Sequence, residues 1–184
     1  MRGNLKTRQK IIFKDLFKIP IKNGLFKPTR VRGSGTKMIN MGEIFAIDRI
    51  FDMPMELVPL TATEEENAII EKNDLIFARS SLADDAGKCS IFLGNEKTTF
   101  ESHIIRVRIT PKIANSKFYY YYFNSVSGKN LVYSITEKTA ASGIRSSDLA
   151  NLSVPFPTKD VQDSVVKHLE ILDIKIENLQ NQNK

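Results

Sequence analysis

The stretch "NLSVPFPTKDVQDSVV", residues 151–166, holds the boundary on which the fold turns. A short apolar run, Leu152 to Val154, meets Pro155 and Pro157. Proline lacks a backbone N–H and pushes the residue before it towards extended geometry, so a strand stops here. Thr158 then stands where a helix cap is wanted, with Asp160 and Asp163 near the positive end of the helix dipole. Downstream, Val165, Leu169, Leu172, Ile176 and Leu179 are spaced 4, 3, 4, 3, a heptad seam. About 25 residues at ~1.5 Å each make a rod of roughly 37 Å. Val161, Val166, Ile171 and Ile174 widen the seam, so the helix is expected to meet more than one surface. A terminal helix folded back on its own body is the competing expectation. The chain divides accordingly into a body, residues 1–157, and a tail helix, residues 158–184.

Working outward, 184 residues that are 41% hydrophobic and 26% charged suffice for one body with a real core. The single cysteine, Cys89, excludes an internal disulfide, and two histidines with one cysteine cannot build an ordinary structural zinc site. No apolar run approaches the ~20 residues needed to cross a bilayer, and the basic start lacks the apolar segment of a secretory signal. A soluble, cytoplasmic, metal-free chain is expected. Its net charge of +6 is unevenly placed. Residues 1–40 carry eleven Lys/Arg against one acid, Asp15, while the remainder carries sixteen against twenty. That asymmetry favours a polyanion on one side, although a solvated basic arm would have the same composition.

The body alternates short elements. "KIIFKDLFKI" (10–19), "EIFAIDRIF" (43–51), "LVPL" (57–60), "DLIFARS" (74–80), "CSIFLG" (89–94) and "SHIIRVRIT" (102–110) read as strands, the last alternating Ile105, Val107 and Ile109 with Arg106 and Arg108. Between the first two, "KNGLFKPTRVRGSGTK" reads as a long basic loop broken by Gly24, Pro28, Gly33 and Gly35. Thr63 with Glu66 has capping-box spacing for a helical turn. "NSKFYYYYFNSV" reads as a helix capped by Asn115 or Ser116, its aromatic face (Phe118, Tyr121, Tyr122) packed on the sheet.

Several chemistries are missing. There is no GxxxxGK phosphate loop, and "RGSGTK" has the wrong spacing for one. No Asn-Pro-Pro-Tyr or Asp-Pro-Pro-Tyr run offers an amino-methyltransferase its grip on a flipped base. Glu101, Ser102 and His103 are neighbours in an expected strand, where alternate side chains face opposite ways, so they make no triad. Asp84 and Asp85 suit a turn, and Glu64, Glu65 and Glu66 a solvated helix start. These absences speak against catalysis. A basic metal-dependent nuclease using Asp84, Asp85 or Glu101 stays as the alternative from another class, and a helix-docking interaction protein without DNA as a third.

The ordered pieces "NGLFKP", "GEIFAIDRI", "NDLIFARSS", "ESHIIRVRI" and "SGIRSSDLANLSVPFPTKDVQDSVVKHLEILDIKIENL" resemble the DNA specificity subunit of type I restriction-modification enzymes. The likeness covers one target-recognition domain and one conserved helix, with Gln162 after the "VPFP" junction and Leu172–Asp173 near the helix end as its most specific marks. Val161 stands where members usually carry Glu, and the chain has no Trp. The resemblance implies an α+β fold: a mixed-sheet recognition domain followed by a long C-terminal coiled-coil-type helix. It further implies a non-catalytic subunit reading one half of a bipartite double-stranded DNA site. The partners implied are an adenine methyltransferase subunit and a restriction/translocase subunit; adenosylmethionine, ATP and Mg are expected on those partners and no cofactor on this chain. A recognition fragment of a larger enzyme is the neighbouring alternative.

With one domain and one helix, a homodimer through Val165, Leu169, Leu172, Ile176 and Leu179 is expected to restore a two-domain layout and a palindromic split site. One added helical turn, ~6 Å, should widen the gap by nearly two base pairs. Charge and loop position nominate Arg30, Arg32, Lys37, Arg79, Ser80, Lys88, Arg145 and Ser146 as DNA contacts.

Overall fold

The computed structural model describes residues 9–81, 86–137 and 142–182. β1 (Lys10–Ile12) leads into a 3-10 turn, Phe13–Leu16, that drives Phe13 and Leu16 into the interior. β2 (Lys22–Asn23) and β3 (Thr36–Ile39) bracket the basic loop, in which Thr29–Val31 forms a second 3-10 turn. Next come α1 (Met41–Ala46), β4 (Arg49–Ile50), β5 (Glu56–Val58) and α2 (Ala62–Asn67). β6 (Leu75–Ala78), β7 (Ser80–Ser81), β8 (Cys89–Phe92), β9 (Thr98–Phe100) and β10 (Ile104–Val107) complete the strand-rich part. The remainder runs α3 (Ser116–Asn124), α4 (Val126–Tyr133), β11 (Ser142–Gly143), α5 (Ser146–Ala150), β12 (Ser153–Pro155) and α6 (Lys159–Gln182). The fold is α+β, with a long C-terminal helix.

A five-stranded sheet, ordered β2-β10-β6-β8-β4, is antiparallel except where β4 lies parallel to β8. A three-stranded sheet, β5-β3-β9, is hydrogen-bonded separately and shares a core with it through Ile39 and Phe100, and β7 pairs with β11. β1 pairs antiparallel with β12, Lys10 opposite Pro155, so the described start of the chain is stitched to the strand that precedes α6.

β6, β8 and β10 are buried along their whole length because both faces of the sheet are covered, and successive side chains point to opposite sides. Leu75, Phe77, Cys89, Ile91, Ile105 and Val107 face one core, shared with Phe13, Tyr119 and Phe123. Ile76, Ala78, Phe92 and Ile104 face a second, shared with Ile39, Ile44 and Phe100. Phe123 meets Phe13 at 5.0 Å and Phe77 edge-on at 5.1 Å between ring centroids. Each such buried ring stabilises by roughly 1.5–3 kcal/mol.

The structure corrects several expectations. The first half of "EIFAIDRIF" is helix and only Arg49–Ile50 is strand: Glu43 accepts the Asn40 N–H at 2.8 Å and Glu101 accepts the Met41 N–H at 2.6 Å, starting α1 where a strand is expected. The cap of α2 is Thr61 with Glu64, two residues ahead of the Thr63–Glu66 pair. Thr36–Ile39, within and after the expected loop, is the middle strand of the smaller sheet. α3 is capped by the Asn115 side chain, and Tyr119, Tyr120 and Phe123 form its most buried face, with Phe118, Tyr121 and Tyr122 flanking them. His103 lies in the turn before β10 and is exposed. Arg106 is 4% exposed despite its charge, because its guanidinium lies over the Phe100 ring and donates to the Ile69 carbonyl at 3.2 Å. Its neighbour Arg108 grips the buried Asp74 with two bonds of 2.7 and 2.8 Å.

Candidate nucleic-acid interface

The turn after β6 and the turn before β10 meet at one end of the large sheet. The Arg79 N–H donates to the His103 carbonyl at 2.7 Å, and the Ile144 N–H donates to the Arg79 carbonyl at 2.8 Å. Ser80 Oγ lies 2.7 Å from His103 Nδ1. β11 runs beside β7, which carries Arg145 and Ser146 into the same place. Ser146 Oγ donates to Asn23 Oδ1 at 2.6 Å, and Arg145 pairs with Glu137 at 2.6 Å. Four of the nominated residues, Arg79, Ser80, Arg145 and Ser146, are therefore brought together from two separate stretches of chain. Asn23 and His103 complete the cluster; sequence alone had not nominated them, and the pairing of β2 with β10 is what places them there.

The remaining nominees behave differently. Arg30 is exposed and has no side-chain partner among the described residues. Arg32 is held by the Lys27 carbonyl at 2.8 Å, by Asn40 and by Glu56. Lys37 pairs with Glu96, and Lys88 bridges Asp48 and the Phe45 carbonyl, each at 3.0 Å. Exposed ion pairs are weak and exchange readily, but Arg32, with three acceptors, closes its loop as much as it presents charge. Asp84 and Asp85 lie outside the described residues. Glu101 caps α1, and among the described residues no group of three or more His, Cys, Asp or Glu is placed to hold a metal ion. No helix among them is long and apolar enough to cross a membrane.

The second functional surface is α6. Gln162 is fully buried: its Oε1 accepts the Asn115 N–H at 2.8 Å and its Nε2 donates to the Pro157 carbonyl at 2.8 Å. Asp163 accepts from Asn115 Nδ2 at 2.6 Å and from Lys159, whose ammonium, followed by that amide, holds its carboxyl below the ordinary range. Further along, Lys117 pairs with Glu170, Tyr121 donates to Asp173, and Arg49 pairs with Asp173 and Glu177. Burial first, and Asp173 second, push the Tyr121 phenol up, so it remains a donor at neutral pH.

Residues 162, 166, 170, 173 and 177 recur at helical spacing and form the face turned to the body. Val166 belongs to that face, 4% exposed, and not to the seam it was expected to widen. At roughly 100° per residue, Val161, Val165, Leu169, Leu172, Ile176 and Leu179 lie about a quarter-turn away. Of these, Val161, Val165, Leu172, Ile176 and Leu179 are 37–58% exposed. The helix is thus tied down on one side and apolar and open on another.

The fold thus presents two surfaces, a sheet end built from two strand turns and a braced helix with an open apolar seam. The chain belongs to the type I restriction modification DNA specificity domain family, whose model matches residues 7–184. That family serves recognition, and catalysis is not its part. No curated protein gives a significant match. Among solved structures, the chain is similar to the HsdS subunit from Thermoanaerobacter tengcongensis, with 15% identity, TM-score 0.68, and coverage of 99% of this chain and 41% of that one. It is also similar to the type I restriction-modification S subunit from M. genitalium, with 19% identity, TM-score 0.57, and coverage of 98% and 43%. A chain from a structure describing assembly and conformational transition of the type I R-M system matches with 14% identity, TM-score 0.70, and coverage of 95% and 40%. The chain spans about two-fifths of the length of each of these solved chains.

Proposed function

We propose that this chain reads one half of a bipartite double-stranded DNA site in the cytoplasm and uses α6 to fix the distance and angle to a second recognition body supplied by another copy of itself. The observation that carries it is the two-sided character of α6. One face is locked to the body from Gln162 to Glu177, while the heptad face beside it stays open to a partner helix. Two copies pairing antiparallel along that seam would place two identical bodies about a two-fold axis, and such symmetry reads a palindromic site with an unread gap. Catalysis then resides in partner chains, an adenine methyltransferase subunit and a restriction/translocase subunit, which carry adenosylmethionine, ATP and Mg. Arg30, Arg79, Arg145 and Ser146 serve as phosphate and base contacts at the sheet end and its flanking loop. Light scattering on the purified chain tests the dimer: a particle of twice the chain mass is expected, and a monomer at tens of micromolar would contradict it.

A further inference from the structure

Phe26 is 77% exposed, yet it sits on a loop with little freedom to move. On one side, Gly24 is pressed against the β9–β10 turn so closely that a Cβ there would lie 2.2 Å from the Phe100 and Glu101 carbonyl oxygens. The Leu25 N–H donates to the Phe100 carbonyl at 2.8 Å. On the other side, Lys27 pairs with Glu64 at 2.8 Å, its carbonyl accepts from Arg32, and the Gly33 N–H donates to the Leu57 carbonyl at 2.8 Å. Single exposed apolar side chains are common and by themselves mean little. This one stands three residues beyond Asn23 of the sheet-end cluster and four before Arg30, which has no partner among the described residues. A phenyl ring held out by a braced loop loses little freedom when it is inserted into a partner.

We infer that Phe26 is a base-contacting residue, the apolar reader of this loop, set beside a phosphate contact from Arg30. The inference rests on the DNA-recognition role of the body. Phe26 has no charge and no hydrogen-bonding group, so its contact is with a thymine methyl or with the faces of an opened base step. In either case its contribution does not release counterions.

The test uses the full chain with its methyltransferase subunit and a pool of random-sequence duplexes. Wild type is expected to enrich a motif; Phe26→Ala is expected to bind it roughly tenfold more weakly, with unchanged salt dependence, unchanged melting temperature and relaxed preference at one position. Replacing thymine by uracil at that position separates the two contacts: affinity falls for a methyl contact and holds for an opened step, and each outcome supports the inference. If Phe26→Ala enriches the same motif with the same affinity, or loses only the methyltransferase subunit, the inference is overturned. A wild-type complex that enriches no motif overturns the DNA-recognition role itself, and the inference with it.

Discussion

Gln162 accepts the Asn115 N–H through Oε1 and donates to the Pro157 carbonyl through Nε2, both at 2.8 Å and both shielded from water. One amide thus joins the start of α3, the end of the β12 segment and the first turn of α6. Replacing it with alanine leaves a buried donor and a buried acceptor unpaired, at a cost on the order of 1–3 kcal/mol for each. Gln162→Ala should therefore lower the denaturation midpoint clearly, and Gln162→Glu should also be destabilising because it turns an acceptor towards the Pro157 carbonyl. Chemical denaturation of both variants measures this; a wild-type midpoint in either would contradict the role given to the amide.

Asp163 gives the same junction a dependence on pH. Its folded-state pKa is depressed below the ordinary 3.8, by Lys159 first and Asn115 next. A depressed carboxyl stabilises fully above its unfolded value and loses that contribution as pH falls through its folded value. Melting temperature followed from about pH 5 to about pH 2 should therefore fall less steeply in Asp163→Asn than in wild type. Parallel curves would remove Asp163 from the junction's electrostatics.

The two arginines of the basic loop should separate cleanly. Arg30→Ala is expected to reduce the slope of log affinity against log salt by about 0.9, one phosphate contact, with no change in stability. Arg32→Ala removes the side chain that ties Lys27, Asn40 and Glu56 together, so it should lower thermal stability more than it lowers the slope. Salt titrations with melting curves on both variants decide between these roles.

The seam makes a prediction independent of DNA. Leu172 and Ile176 are 51% and 52% exposed in the single chain, so charging both with glutamate should leave its folding intact while abolishing self-association. Light scattering reads the second effect and circular dichroism the first. An unaltered dimer in the double variant would place the interface elsewhere.

Spacer length should respond to helix length only where the helix is free of the body. The ties end at Glu177, so a heptad inserted at Asn178 keeps them and preserves the phase of the seam. Seven residues add ~10.5 Å, about three base pairs of gap, with the half-site sequence unchanged. The same insertion between Asp163 and Glu170 breaks the register of Lys117, Tyr121 and Arg49 with α6 and should cost stability instead.

Much of this architecture was legible in the sequence. The proline junction, the tail helix and the strands at Leu75–Ala78, Cys89–Phe92 and Ile104–Val107 all carry local signals, in turn chemistry or in hydrophobic spacing. α1 was misread because Ile44, Phe45 and Ile47 fit a strand equally well, and the carboxylate that starts the helix, Glu101, comes from sixty residues away. Arg106 keeps the expected alternation with Ile105 and Val107, but its burial is not legible, because its site is supplied by Phe100 and the carbonyls before β6, which no local pattern reveals. α5 and the sheet-end cluster were hidden for a similar reason: Ser146 finds Asn23 across more than a hundred residues. The division of α6 into a tied face and an open face also needed the body, since Val166 and Val165 look alike in sequence and differ only in what lies opposite them.

The most direct test of the whole account is to co-express this chain alone with an adenine methyltransferase subunit and map adenine methylation across a genome. A bipartite palindromic motif, two identical half-sites in opposite orientation around a gap of fixed length, is the expected result. Methylation at an asymmetric site, or at no defined motif, would contradict the pairing of two identical recognition bodies through α6.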